Sequence, residues 1–327
     1  MKGLILSAGK GSRVQPFSFT TPKPLLPVAN IPLLYYCIEK LIEVGIHEVG
    51  IVIQPGHHLL FEEQLGRGER WGVEITYIFQ FTPLGIADAV RQAESYIGCS
   101  DFVLMLGDNL ITESLAGLVE VVAHKKHDAC MLLGQVAQPQ DYGIVEVRDD
   151  QVVGLEEKPK HPKSNLASLG AYVFTAQLFQ AVRSITPSPR GEYEITHAIQ
   201  WLIDHQCSIG YAITDKNHTD IGTIGRWLEA NQWVLEDIGE KDLHELRLRY
   251  PGCRLIPPVV IDSTSELKDC IIGPYVTIGP RAKINHCSIE NSIVLQDVSI
   301  TNVQLNNVIA NQHAIASPSG GGTAWIF

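Results

Sequence analysis

The chain has 327 residues, 45% of them apolar, and a formal net charge of −11. This length and composition predict a large domain and a smaller one with a sizeable buried core. The acidic balance argues against DNA or RNA as a partner, because nucleic-acid-binding proteins usually present a basic face.

Residues 1 to about 135 alternate strand and helix patterns. Strands are predicted at Gly3–Leu6, Val49–Ile53, Ile75–Phe79 and Phe102–Leu106. Helices are predicted at 32–44, 57–65, 86–96 and 115–124. Strands that are apolar at consecutive positions are buried on both faces, so the pattern predicts a doubly wound, mostly parallel α/β sheet. Ligands of such sheets bind beyond the carboxyl ends of the strands, where residues 7–23 and 107–109 fall.

The middle of the chain changes to shorter predicted strands between Met131 and Thr175. Arg148–Asp150 is predicted to form a hairpin turn between strands at 144–147 and 152–156. Helices are then predicted at 176–184, 194–205 and 224–237, followed by a helical connector at 239–251.

The sequence after Pro251 carries a six-residue aliphatic period, with Ile272, Ile278 and Ile284 in step. This period is typical of a parallel β-helix built from hexapeptides, although an ordinary strand-rich tail is the alternative. We expect three or four coils between residues 252 and 310, and a Gly- and Ser-rich tail at 317–327. The predicted domains are therefore 1–240, which carries the catalytic residues, and 252–327, the β-helix and tail.

The seven cysteines form no C-x-x-C pair, so neither a disulfide framework nor a zinc site is predicted. No apolar run approaches the ~18 residues of a membrane span, and the N-terminus lacks the apolar core of a signal peptide. We expect a cytoplasmic protein without a membrane partner.

The loop after the first strand has the composition of a phosphate-binding loop. Gly9 and Gly11 let backbone N–H groups approach a polyphosphate, Ser12 adds a hydroxyl donor, and Arg13 adds a charged fork. The third glycine of a dinucleotide-binding loop is missing, and prolines at 22, 24 and 27 exclude a helix start, which disfavours an NAD dehydrogenase.

Two further charged residues, Lys23 and Asp108, are candidate site residues. Lys23 lies between two prolines that should hold its backbone extended, which suits a positioned cation, although a lone lysine is usually a solvated surface residue. Asp108 follows a buried strand and a glycine, so its carboxylate could bind Mg²⁺ beside phosphates or cap the next helix.

A set of motifs in chain order resembles the nucleotide-sugar pyrophosphorylase family, in particular the long form of glucose-1-phosphate thymidylyltransferases. These motifs are G-x-G-S-R from Gly9, P-K-P-L-L-P-V from Pro22, Gln80 with P-L-G-I-A, L-G-D-N from Leu106, Tyr142-Gly143, E-E-K-P from Glu156 and G-E-x-E-I-T from Gly191. The resemblance covers nearly the whole chain. It implies a Rossmann-like sheet and a short C-terminal left-handed β-helix.

The resemblance also implies roles for individual residues. Asp220 would be a second metal ligand beside Asp108, although His218 stands where the family usually has Trp and a turn aspartate is the alternative. Lys158 would hold the sugar phosphate, whereas an exposed ion pair with Glu157 is the alternative. Sugar contacts are implied for Asn109, Gly143, Glu157 and Lys158. Gln80 would read a pyrimidine edge while Gly85 leaves room for the base, and Glu192 belongs to the family motif or caps a helix.

These roles describe a Mg²⁺-dependent, in-line attack of glucose-1-phosphate on the α-phosphate of dTTP, with Arg13, Lys23 and Lys158 as catalytic cations. UTP is the nearest alternative, because Pro24 replaces a glutamine common in the short-form thymidylyltransferases. The sequence also leaves open a bifunctional acyltransferase or a non-catalytic nucleotide-sugar sensor. We expect a homo-oligomer.

Overall fold

The computed structural model describes residues 1–9, 11–124, 126–318 and 324–325. The chain forms two compact units, and neither is continuous in sequence. The first comprises residues 1–10 and 34–218, and the second comprises residues 11–33 and 219–327. The predicted domain boundaries at 240 and 252 stay a prediction.

The first unit is built on a nine-stranded sheet. Its strands are β1 Lys2–Leu6, β2 Glu48–Ile53, β3 Glu74–Phe79, β4 Phe102–Leu106, β5 Ala129–Gln135, β6 Gly143–Arg148, β7 Gln151–Glu157, β8 Leu166–Phe174 and β9 Ile209–Thr214. The main path runs β7-β6-β8-β4-β1-β2-β3, and β5 joins β8 to β9.

The first half of this sheet is parallel, as predicted. β1 pairs in parallel with β2 and β4, and β2 pairs in parallel with β3. Residues 102–105 of β4 are each at most 1% exposed, which is the burial of a strand covered on both faces. The predicted doubly wound sheet is confirmed.

The second half is antiparallel around β8, which pairs with β4, β5 and β6. β8 has nine residues, so the prediction of only shorter strands between 131 and 175 was wrong. The predicted hairpin is confirmed, since Gln151 pairs with Arg148 and Asp149 has a φ of 56°.

The helices fall where the sequence period indicates. They are α1 Leu33–Glu43, α2 His58–Leu65, α3 Ile86–Gln92, α4 Glu94–Ile97, α5 Ala116–Ala123, α6 Leu178–Ser184, α7 Ile195–Asp204, α8 Ile224–Ile238 and α9 Leu243–Arg249. The helix predicted over 86–96 is divided at Ala93, whose ψ of 0° interrupts the α-helical path. Among the helices of the described ranges, none is long and apolar enough to cross a membrane.

Short elements connect these helices and strands. Single 3₁₀ turns are at Ser12–Val14, Phe17–Phe19, Lys23–Leu25, Pro55–His57, Glu69–Trp71 and Pro139–Asp141. Short strands are at Pro27–Val28, Ile31–Pro32, Asn109–Ile111 and His218–Asp220.

The second unit contains a parallel β-helix with three faces. One face stacks Arg254–Leu255, Ile271–Ile272, Ser288–Glu290 and Gln304–Asn306. The next stacks Val259–Ile261, Val276–Ile278, Ser292–Val294 and Ile309–Ala310, then Ala314–Ala316 and Ala324–Trp325 in antiparallel pairing. The third stacks Glu266–Lys268, Lys283–Asn285 and Ser299–Thr301.

The six-residue period reflects this stacking. Ile278 and Ile284 lie on successive faces, and each pairs with an aliphatic residue of the next coil, Val294 or Ile300. Ile272, Ile278 and Ile284 are completely buried. The predicted β-helix is confirmed, whereas residues 319–323 and 326–327 of the predicted tail lie outside the described residues.

Three hydrogen bonds join residues 27–30 of the 11–33 segment to other parts of the second unit. The indole N–H of Trp227 donates to the Pro27 carbonyl (2.7 Å), and the Ala29 N–H donates to Asn231 Oδ1 (2.9 Å). Asn30 Nδ2 donates to the carbonyl of Ile278 on the β-helix (2.7 Å). Residues 27–30, which follow the predicted phosphate-binding segment, are therefore held by α8 and by the second coil.

Candidate active site

Gly11 is the glycine of the loop that the backbone requires. Its φ is 62°, and a Cβ there would lie 3.3 Å from the Cβ atoms of Lys23 and Ser18. The Ser18 hydroxyl donates to the Gly11 carbonyl (2.8 Å), which holds this fold-back. Ser12 is exposed beyond it, and Gly9 has open space around its Cβ position, so both remain accessible to a ligand.

Lys23 is a buried cation. The residue is only 6% exposed, so it is not a solvated surface lysine. The prediction that its backbone is extended was wrong: Lys23 begins the 3₁₀ turn Lys23–Leu25, and Leu26 N–H donates to its carbonyl. Proline fits the first turn of such a helix, so Pro24 permits this single 3₁₀ turn, and no α-helix begins among residues 11–32, as predicted.

Asp220 is held by two guanidinium groups. Arg13 Nη2 lies 3.6 Å from Asp220 Oδ2, and Arg226 Nη1 bonds to Oδ1. Gly222 leaves room for this pair, since a Cβ would lie 2.5 Å from Asp220 Oδ2 and 3.2 Å from Arg13 Nη2. The glycine two residues after Asp220 thus leaves space for the Asp220 carboxylate beside the turn at 220–222.

Arg226 was missed by the sequence reasoning. It lies in the first turn of α8, where its backbone N–H donates to the side chain of the cap residue Thr223 (3.3 Å). A cation one helical turn beyond an Asp-x-Gly-Thr cap is the signal that could have identified it. A metal ion at Asp220 would compete with Arg226 and Arg13 for the carboxylate oxygens.

Gly107 brings the ends of β1 and β4 together. A Cβ there would lie 2.3 Å from Ser7 Oγ, and Gly107 N–H donates to the Leu6 carbonyl (2.9 Å). Asp108 follows, half-buried, at the carboxyl end of β4. Burial, and secondly the Asp108 carboxylate, raises the pKa of Cys37 to about 12, which keeps this thiol protonated.

The nitrogen of the Asn109 side-chain amide has a fixed partner. Its Nδ2 donates to the Leu169 carbonyl (2.8 Å), and Gly170 makes room for it, since a Cβ there would lie 2.5 Å from Nδ2. Its Oδ1 is buried without a hydrogen-bond partner among the residues that the structure describes. A buried acceptor without a partner is unusual, and it fits a group that a ligand hydroxyl would satisfy.

The end of β7 places Glu157 and Lys158 beside Gly143. Gly143 pairs with Glu157, and a Cβ at Gly143 would lie 2.7 Å from Thr196 Cγ2 and 3.4 Å from Glu157 Oε2. Lys158 is exposed with a φ of 45°, and its N–H donates to the Tyr142 carbonyl (3.0 Å). Left-handed backbone costs a non-glycine residue roughly 1 kcal/mol, and such strain is concentrated at functional positions.

Arg190 is the ion partner of Glu157. Its Nη2 lies 3.1 Å from Glu157 Oε1, 2.8 Å from Glu194 Oε1 and 3.9 Å from Glu192 Oε2. Burial, and secondly Glu194, raises the pKa of Glu157. The sequence reasoning missed Arg190. Its position directly before the G-E-x-E motif is the feature that could have identified it.

Glu192 does not cap a helix. α7 begins at Ile195 with Glu194 as the preceding residue, and no side chain caps it. Glu192 instead contributes a third, half-exposed carboxylate beside Arg190.

Gly85 supports close backbone packing. Its φ is 110°, and a Cβ would lie 2.6 Å from the Tyr193 carbonyl oxygen. Tyr193 N–H donates to the Leu84 carbonyl (2.7 Å), and Ala87 N–H donates to the Tyr193 carbonyl (2.9 Å). The side of Gly85 on which a side chain would lie is therefore occupied by the main chain of Tyr193, and the role of Gly85 beside the base stays a prediction.

Gln80 is 3% exposed and lies directly after β3. Its Nε2 donates to Asp88 Oδ2 (2.8 Å) and to the Gly85 carbonyl (3.2 Å). Gln80 and Gly85, which the sequence pattern paired, are thus in direct contact. Within the described ranges, no three His, Cys, Asp or Glu side chains converge as a metal cluster would.

The comparisons with known proteins agree with one another. The family profile described as nucleotidyl transferase matches residues 2–237. The chain is 39% identical to the glucose-1-phosphate thymidylyltransferase of Streptomyces antibioticus, over 93% of this chain and 90% of that protein. It is 33% identical to the UTP–glucose-1-phosphate uridylyltransferase AglF of Haloferax volcanii, over 72% of this chain and 98% of that protein. A Bacillus anthracis chain named as a proposed glucose-1-phosphate thymidylyltransferase, solved with sucrose, superposes with a TM-score of 0.67 at 34% identity, covering 71% of this chain and 94% of its own.

Proposed function

We propose that this chain, which belongs to the nucleotidyl transferase family, transfers a thymidylyl group from dTTP to glucose-1-phosphate and releases pyrophosphate. The observation that carries the proposal is the 39% identity, over 93% of the chain, to a protein named glucose-1-phosphate thymidylyltransferase. The product would be dTDP-glucose. The roles of the individual site residues rest on their chemistry and on the motifs in which they lie.

The difficulty of this reaction is charge, because two polyanions must meet and a third must leave. Catalysis then consists mainly of positioning and neutralisation. We assign Arg13 to the α-phosphate and the departing pyrophosphate, with Lys23 sharing that charge. The burial of Lys23 supports this assignment, because a buried side chain is held in position more firmly than a solvated one.

We assign the attacking phosphate to Lys158 and the sugar hydroxyls to Asn109, Gly143 and Glu157. The unpaired Oδ1 of Asn109 and the strained backbone of Lys158 support these assignments. Gly9, Gly11 and Ser12 would bind phosphate oxygens, and Gln80 with the Gly85 segment would contact the base. The phosphate itself is the nucleophile, so no covalent enzyme intermediate forms.

Asp108 and Asp220 remain the proposed Mg²⁺ ligands. Both supply hard carboxylate oxygens, and Mg²⁺ beside phosphates needs only one or two of these from the protein. Magnesium supplies charge neutralisation at the α-phosphate when it is bound. Arg13 and Arg226 hold the Asp220 carboxylate in place, and a bound Mg²⁺ would replace part of these ion pairs.

UTP is the second candidate nucleotide. The 33% identity to a UTP-dependent relative and the presence of Pro24 favour it over other triphosphates. We propose a homo-oligomeric, cytoplasmic enzyme in which the β-helix carries no chemistry.

The test is a panel of dTTP, UTP, dCTP and ATP against glucose-1-phosphate and other sugar-1-phosphates, with released pyrophosphate as the readout. We expect dTTP with glucose-1-phosphate to have the highest kcat/KM. Lys158→Ala should lower turnover, whereas Lys163→Ala, an exposed lysine paired with Glu146, should not. A higher kcat/KM with UTP would replace dTTP, and no pyrophosphate from any pair would refute the proposal.

A further inference from the structure

The amide of Gln80 has a fixed orientation. Its Nε2 donates to two oxygens, Asp88 Oδ2 at 2.8 Å and the Gly85 carbonyl at 3.2 Å. A carbonyl oxygen and a carboxylate oxygen accept hydrogen bonds and cannot donate them. Turning the amide by 180° would place Gln80 Oε1 against both of these acceptors, so only one orientation is compatible with the contacts.

The Asp88 side chain is held in place by its neighbours. It is 3% exposed in the first turn of α3, and Arg91 Nη2 lies 2.5 Å from its Oδ1. Gln92 Nε2 lies 3.4 Å from the same oxygen. Arg91 also lies over the ring of Tyr193, with 5.3 Å between its guanidinium carbon and the ring centroid. The carboxylate therefore has a fixed partner on one oxygen and uses the other to hold Gln80.

The carbonyl oxygen of Gln80 is the remaining hydrogen-bonding group. Across the described residues, no donor bonds to this Oε1, and the atom is not among the side-chain oxygens buried without a partner. Gln80 therefore presents an acceptor, and its two N–H donors are already used. A nucleobase that meets this group must bring a donor.

We propose that Asp88 determines the base specificity of the enzyme by fixing the amide of Gln80 as an acceptor. The inference rests on the proposed function, in which Gln80 contacts the base. Thymine and uracil carry an N3–H donor and fit, whereas cytosine has an unprotonated N3 that would face Oε1 as a second acceptor. Guanine carries N1–H, so this amide alone does not exclude it. Asp88 acts here as a positioning residue.

Asp88→Asn tests the proposal in the full-length chain. The asparagine amide can donate to Gln80 Oε1, so the shorter of the two contacts that oppose a turned amide becomes favourable and only the 3.2 Å contact with the Gly85 carbonyl still opposes it. A larger share of the Gln80 amides can then turn and present their N–H groups. Dissociation constants of dTTP and dCTP are measured by calorimetry, and kcat/KM is measured for both with glucose-1-phosphate. We expect the wild type to prefer dTTP over dCTP by about tenfold or more, since a buried group left unpaired carries a penalty of that order. The variant should reduce the preference at least about tenfold, partly through tighter binding of dCTP.

Two further variants make the result decisive. Asp204→Asn makes the same change on the exposed end of α7 and should leave the preference as in the wild type. Gln80→Ala should remove the preference without tighter binding of dCTP, and it reports on the mechanism even if Asp88→Asn fails to fold.

The inference is overturned if the wild type binds dTTP and dCTP equally, or if Gln80→Ala keeps the preference. It is also overturned if folded Asp88→Asn keeps the wild-type ratio. The binding experiment does not depend on turnover, so a chain that discriminates between bases but releases no pyrophosphate would contradict the proposed function alone.

Discussion

Replacing Asn231 by alanine should strongly destabilise the second unit. Asn231 is 1% exposed, and its Oδ1 accepts hydrogen bonds from the Ala29 N–H (2.9 Å) and the Thr277 hydroxyl (2.8 Å). Ala29 and Thr277 are themselves 3% and 1% exposed, so water cannot replace the lost acceptor. Each buried donor left unpaired costs about 1–3 kcal/mol, which gives a loss of about 2–6 kcal/mol in the free energy of unfolding.

The assay is urea unfolding of the full-length chain followed by tryptophan fluorescence. Thr277→Val removes one donor but leaves Asn231 bonded to Ala29, so a smaller loss of about 0.5–1.5 kcal/mol is expected. Asn306→Ala, on the exposed surface of the β-helix, should stay within about 0.5 kcal/mol of the wild type. If Asn231→Ala were as stable as Asn306→Ala, this oxygen would not anchor the 11–33 segment.

Four other substitutions test the remaining assignments. Asp108→Asn should abolish pyrophosphate release at an unchanged melting temperature, and activity within a few-fold of the wild type would contradict a metal ligand. Arg13→Ala should lower kcat by at least ~100-fold, whereas a change in KM alone would indicate uniform binding. Gly85→Ala should lower the melting temperature, because its Cβ would lie 2.6 Å from the Tyr193 carbonyl; an unchanged value would mean that this backbone contact is dispensable. The raised pKa of Glu157 means that its contribution to stability is fully present below its ordinary pKa of 4.5 and is lost as the pH rises through the folded-state value. Stability should therefore fall more over that range in the wild type than in Glu157→Gln, and parallel pH profiles from denaturant unfolding would contradict the shift.

The regular elements could be predicted because their patterns are local. Alternating buried strands and helices predicted the parallel half of the sheet, and the six-residue period predicted the β-helix. The antiparallel strand β8 was underestimated because Ser168 and Gly170 interrupt the apolar run of its nine residues.

The motifs placed candidate site residues correctly at loop and strand ends but did not reveal how they are held. Arg226, Arg190 and Asp88 act on Asp220, Glu157 and Gln80 through contacts that only folding creates. The sequence reasoning explained Gly85 by space for a ligand, and the structure adds a second reason, the main chain of Tyr193 at its Cβ position. Close approach of two distant backbones has no local sequence signature.

The anchoring of residues 11–33 also has a consequence for the order in which the protein is made. The three hydrogen bonds that fix this segment span 200, 202 and 248 residues. At a synthesis rate of about 5–20 residues per second, the ribosome needs roughly 12–50 s after adding Asn30 to reach Ile278. The segment that carries Arg13 and Lys23 thus emerges early and stays without its final contacts until most of the chain has been translated. A ribosome stalled before the second β-helix coil would hold a nascent chain whose first unit is fully synthesised and whose 11–33 segment still lacks its last anchor.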